Sequence, residues 1–95
     1  MIIQGVNWDE DDDPDGNVTH IAEHDISIDE VEDVLYNPGN MTGPSNHPGR
    51  MLTCGWTETG RFICVAWERA EDDPLIVKPV TAFESNPRRR KRRGK

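Results

Sequence analysis

The stretch Asn17 to Pro38, NVTHIAEHDISIDEVEDVLYNP, constrains this chain more than any other segment. Ser27 is followed three residues later by Glu30, the spacing of a capping box. In that motif the serine hydroxyl accepts the N–H of the third helical residue, and the glutamate reaches back to the serine N–H. Ile26 before the cap and Val31 at the fourth helical position supply the accompanying hydrophobic staple. Ile28, Val31, Val34 and Leu35 fall on one stripe at helical spacing, with Asp29, Glu30, Glu32 and Asp33 toward water. Pro38 closes the segment, because the residue before a proline is driven out of the helical region. Upstream, Asn17 is placed to cap a shorter first helix running to about His24, with Val18, Ile21 and Ala22 as its apolar face.

Ninety-five residues make one small domain whose thin core tolerates few buried polar groups. No run is long and apolar enough to cross a membrane, and no basic region followed by an apolar one opens the chain. The cytoplasm is the expected location. The net charge of −7 conceals two opposed regions. Residues 1–87 hold all 18 acidic side chains and only Arg50, Arg61, Arg69 and Lys78 as cations. Residues 88–95, RRRKRRGK, carry seven positive charges and no negative ones. Such a body repels nucleic acid at long range while the tail attracts phosphate. The tail is expected to be disordered, since it has nothing apolar to bury. Its plain reading is a solubilising end lying loosely on the acidic body, and its functional reading is a contact with RNA or the ribosome.

Changes of period give the remaining architecture, a single domain over residues 1–87. Ile2 to Trp8 reads as a first strand and Asp9 to Gly16 as a charged loop. Asn37 to Gly49, with three prolines and three glycines, reads as a loop. A hairpin follows, Met51 to Thr57 and Arg61 to Arg69, joined by Glu58-Thr59-Gly60, a three-residue connection ending in glycine. After a second acidic turn, Leu75 to Phe83 forms the last strand, where Pro79 demands an edge position or a bulge. The expected fold is α+β: two short helices packed on a small antiparallel sheet of about four strands.

Pairing Thr57 with Arg61 makes residues whose numbers sum to 118 face each other, which sets Cys54 opposite Cys64. They share a face with Leu52, Trp56, Phe62 and Ala66, and in a cytosolic protein they read as small buried apolar residues. Two metal patterns are also present. His20-Ile21-Ala22-Glu23-His24 spells the inverted zincin motif but needs a third ligand, and the chain is short for a peptidase cleft. Asp11-x-Asp13-x-Asp15-Gly16 opens like a calcium loop, yet its twelfth position is Ala22 where a bidentate glutamate belongs. A calcium-binding regulatory domain is the weaker alternative these residues leave open, and no cofactor is implied.

Trp8-Asp9, Asn17, the run HIAEHDISIDEVEDVLYNP, Gly49-Arg50, Gly55, Gly60-Arg61 and Val80-Thr81-Ala82 together resemble BrnT-type toxins. Those are RelE-like ribonucleases of bacterial type II toxin–antitoxin pairs. The resemblance spans about residues 6–84 and implies a RelE-like fold, metal-independent cleavage of RNA and a cognate antitoxin over the site. It also implies site residues: His24 matches the family's histidine at the end of the first helix, and Arg50 and Arg61 match its basic strand positions. Phe83 stands where such chains tend to carry an arginine, which leaves Lys78 as the cation of the last strand. Cleavage of this kind needs a base for the ribose 2′-OH, a cation for the phosphorane-like charge and an acid for the leaving oxygen. His24, Arg50, Arg61 and Lys78 are the candidates. The competing class is a non-catalytic, toxin-derived binding module that keeps a partner surface without cleavage residues.

Overall fold

The computed structural model describes residues 2–85, so the basic segment 88–95 and its expected RNA contact lie outside the described residues. The elements run β1 (Gly5–Val6), α1 (Asn17–Glu23), α2 (Ile28–Leu35), β2 (Met41–Pro44), β3 (Arg50–Trp56), β4 (Phe62–Asp72) and β5 (Leu75–Glu84). The fold is α+β, with the two expected helices. Among the described residues no helix is long and apolar enough to cross a membrane.

α2 begins as its sequence dictates. The Glu30 N–H donates to Ser27 Oγ at 3.2 Å and the Ser27 N–H donates to Glu30 Oε1 at 3.0 Å, completing the capping box. α1 ends where expected, with His24 as its C-cap, and departs from expectation at its start. Gly16 is its N-cap and makes no side-chain cap, while Asn17 is the first helical residue and is buried. At the other end the N–H of Ile26 bonds Ile21 O and that of Asp25 bonds Ala22 O, both within 3.0 Å. That is a Schellman motif, with Asp25 at φ 62° in the left-handed position and the buried pair Ile21 and Ile26 beneath it. The motif turns the chain directly into the second cap.

The sheet corrects the expectation of about four antiparallel strands. It has five, in the order β1-β5-β4-β3-β2, and β1 runs parallel to β5, so the sheet is mixed. The first strand, expected over Ile2 to Trp8, keeps only Gly5 and Val6 paired, though Gln4 and Asn7 donate to the Leu75 and Val77 carbonyls at 2.9 Å. β2 lies within the expected loop. Gly43 and Pro44 give it no strand pattern of its own, and pairing with β3 imposes the extended form. Pro79 has the bulge its ring demands: the register slips between Ala66↔Thr81 and Trp67↔Pro79, leaving Val80 over. It also lies past the end of β1, where β5 has no second neighbour.

The β3–β4 register follows the predicted sum, from Arg50↔Glu68 through Cys54↔Cys64 to Trp56↔Phe62. The two cysteines are joined as a disulfide, which corrects the reading of two small buried thiols, and only Cys64 is buried. Gly55 is fixed by close approach, because the Asn40 carboxamide occupies the space a Cβ would need. Asn40 is held there by donating to Val34 O at 2.8 Å.

One face of the sheet carries Thr53, Ile63, Val65, Trp67, Val77 and Ala82 against Ile21, Ile26, Val31, Val34 and Leu35. α1 packs on β5 and α2 on β3 and β4. Fully buried Trp67 donates to Thr53 Oγ1 at 2.8 Å, and that hydroxyl shares a bond of 2.7 Å with Thr42 Oγ1.

A buried polar knot joins this core to the N-terminal segment. Asn17, 3% exposed, donates to the carbonyls of Asn7 and Pro79, both at 3.0 Å, and accepts the Asp9 N–H at 2.9 Å. Removing that side chain strands three backbone groups, two of them at the bulge and the β1 exit. Asn17→Ala is expected to cost about 2–4 kcal/mol. Urea unfolding measures it, and a loss below about 1 kcal/mol would mean that water replaces all three bonds.

Candidate functional site

Among the described residues, no helix lies over the opposite face of the sheet. β3, β4 and β5 alternate, so the residues between the core positions form a second ladder. It runs from Trp56 and Phe62 through the Cys54–Cys64 bridge beside Phe83, then Leu52, Ala66 and Thr81, to Arg50, Glu68 and Lys78. Its middle is apolar, and its Trp56 end is partly bare: Met41 of β2, paired with Cys54, is 84% exposed and Trp56 55%. Trp56 and Phe62 meet edge to face, ring centroids 5.2 Å apart.

The polar end of this ladder opens into a cleft of about 250 Å³. Arg50 and Lys78 line it from the strands, with Glu68 between them, and His20 lines it from α1. The wall beneath is the Asn17 knot with Asp9 and Pro79. Arg50 Nε donates to Glu68 Oε2 at 2.9 Å, and Lys78 Nζ lies 3.4 Å from Asp9 Oδ1. Asp9 in turn accepts the Asn17 N–H at 3.0 Å. That backbone bond holds the Asp9 carboxyl below its ordinary value, partial burial opposes it, and the Lys78 charge adds to the lowering.

The four residues suggested by sequence therefore divide. Arg50 and Lys78 come together, whereas His24 and Arg61 lie elsewhere. His24 is exposed at the C-cap of α1, its N–H bonded to Ile21 O. Arg61 clamps the helices to the sheet. Its Nη1 donates to Asp25 O at 2.8 Å and to both Glu30 oxygens at 2.9 and 3.0 Å, and its Nη2 donates to Glu84 Oε1 at 3.0 Å. The bond to Glu84 raises the Arg61 pKa most, burial opposes it, and the bond to Glu30 adds to it. His20 is the residue sequence reasoning missed in this role, since its place in a zincin-like pattern absorbed it. Its signal was the one-turn offset from Asn17, which directs both side chains to the same region of α1.

Each of the four Lys and Arg side chains among the described residues meets a carboxylate, Arg69 pairing with Asp72 at 3.4 Å. Among the described residues no three His, Cys, Asp or Glu side chains converge on a common metal position. Asp13 turns inward on its own loop, accepting the Asp15 N–H on Oδ1 and the Thr19 hydroxyl on its carbonyl. Compared with known proteins, the chain matches no family model, no curated protein and no solved structure.

The clamp makes acid stability readable. Burial pushes the Glu30 carboxyl upward, but the Ser27 N–H and Arg61 outweigh it, and the net value lies below the ordinary 4.5. A carboxyl depressed in the folded state contributes stability that is complete above its unfolded value and lost as pH falls through the folded one. Glu30→Gln is expected to lower stability at neutral pH and to flatten the acid limb of the pH–stability curve. Urea midpoints across the acid range measure this, and an unchanged slope would remove Glu30 from the linkage.

Proposed function

We propose that the chain is a BrnT-like toxin-family protein with a RelE-like fold, an endoribonuclease that acts on RNA at the polar end of its open sheet face and is neutralised by a cognate antitoxin. The observation that carries this reading is the meeting of Arg50, Lys78 and His20 in one cleft. The order strand, two helices, then antiparallel strands supports it as well. In this reading the His20 imidazole takes the 2′-OH proton, and Arg50 and Lys78 hold the phosphate as charge builds on it. Their pairs with Glu68 and Asp9 are solvent-facing, and such pairs are worth only about 0–1 kcal/mol each, so a phosphate competes for both cations. Residues 88–95 supply the long-range attraction that the acidic body lacks, with an affinity that falls with salt at a slope near −0.7 per phosphate on a single strand.

A second reading, a non-catalytic binding module derived from such a toxin, is favoured by a specific observation. Every described cation is already paired, and Phe83 places an apolar ring on the open face. Inducing the chain in cells and incubating the purified protein with RNA in a chelator separates the two. The ribonuclease reading expects growth arrest and RNA cleavage, with His20→Ala or Arg50→Ala slowing cleavage by about 100-fold or more. His24→Ala, which lies outside the cleft, is expected to change it little. Intact RNA beside well-folded protein would shift the conclusion to the module.

A further inference from the structure

We propose that the Cys54–Cys64 bridge is a reversible thiol–disulfide exchange site on the open sheet face, attacked at the Cys54 sulfur by a small neutral or cationic thiol. The bridge joins directly opposed residues of β3 and β4, and its two ends differ in access. Cys64 is 1% exposed, while Cys54 is half-buried and lines a groove of about 430 Å³ with Met41, Leu52, Trp56 and Phe62. Exchange rates depend on which sulfur a thiolate reaches, and only the Cys54 side has an approach.

The incoming thiolate forms a bond to Cys54 Sγ, the Cys54–Cys64 bond breaks, and its electron pair leaves on Cys64 Sγ, which takes a proton from water. Return attack by Cys64 on Cys54 restores the bridge and expels the thiol. A second thiolate attacking the thiol-derived sulfur instead carries it away as a symmetrical disulfide and leaves both cysteines reduced. The ladder between β3 and β4 continues on both sides of the bridge, so reduction does not require the strands to part. The charge of the body sets the preferred thiol. Residues 1–87 carry 18 acidic side chains against four basic ones, a field that repels anionic thiols.

The test uses the full chain and 2-mercaptoethanol as the neutral probe. Without urea, the bridge should open while the circular dichroism stays native, and acid-quenched peptide maps should place the first mixed disulfide on Cys54. Mercaptoacetate should react more slowly, with the gap closing as salt is added. As a second measurement, Cys64→Ser should take up 2-hydroxyethyl disulfide at Cys54 about ten-fold faster than Cys54→Ser does at Cys64. A bridge that resists the thiol until urea unfolds the chain, or an adduct that maps to Cys64, would overturn the proposal and leave a purely structural cross-link.

Discussion

Asn17 donates to carbonyls on both sides of it, at Asn7 and Pro79, and accepts from Asp9, so one carboxamide ties the end of β1, the start of α1 and the bulge of β5. Those are the places where regular pairing stops and backbone groups need other partners. Pro79 bends β5 away from its ladder, and its carbonyl would be orphaned beneath α1 without the carboxamide. The same knot orients Asp9 toward Lys78 and forms the wall of the polar cleft. The geometry of the candidate site thus rests on a buried polar side chain, and not on the apolar core alone.

A second tie acts at the far end of the sheet. Arg61 reaches from the β3–β4 turn to the Asp25 carbonyl, Glu30 and Glu84, joining the α1–α2 junction to β4 and β5. Glu30 serves two partners at once, closing the capping box and receiving the guanidinium. Two more acids of α2 are also used. Glu32 accepts the Trp8 indole N–H at 3.0 Å, and Asp33 accepts the Glu58 N–H at 3.2 Å. The acidic side of α2 is in large part a set of acceptors for neighbouring segments. This accounts for some of the acid in the body without any external ligand.

Among the described residues, what remains is a two-layer structure with one sheet face uncovered. The apolar middle of that face, the disulfide set into it and the paired cations at its end differ in chemistry but share one surface. The acidic side chains of the body favour neutral or cationic ligands at long range, and even the cleft that holds Arg50 and Lys78 is also lined by Asp9, Asp15 and Glu68.

Local signals fixed much of this molecule before any tertiary contact. The capping box of Ser27 and Glu30, the stripe from Ile28 to Leu35, the glycine turn at Gly60 and the resulting opposition of Cys54 and Cys64 all depend on residues a few positions apart. Such short-range geometry is written in spacing. Strand β2 was not legible, because Met41 to Pro44 is extended only through its pairing with β3. The parallel pairing of β1 with β5 joins segments some seventy residues apart, beyond any local pattern. The site divided along the same line. Sequence named Arg50, Lys78, His24 and Arg61 as basic groups, but long-range register set Arg50 beside Glu68 and Lys78 in one row. It drew Arg61 into a clamp and brought His20 to the cleft, since a side chain's partners are set by which strands and helices become neighbours.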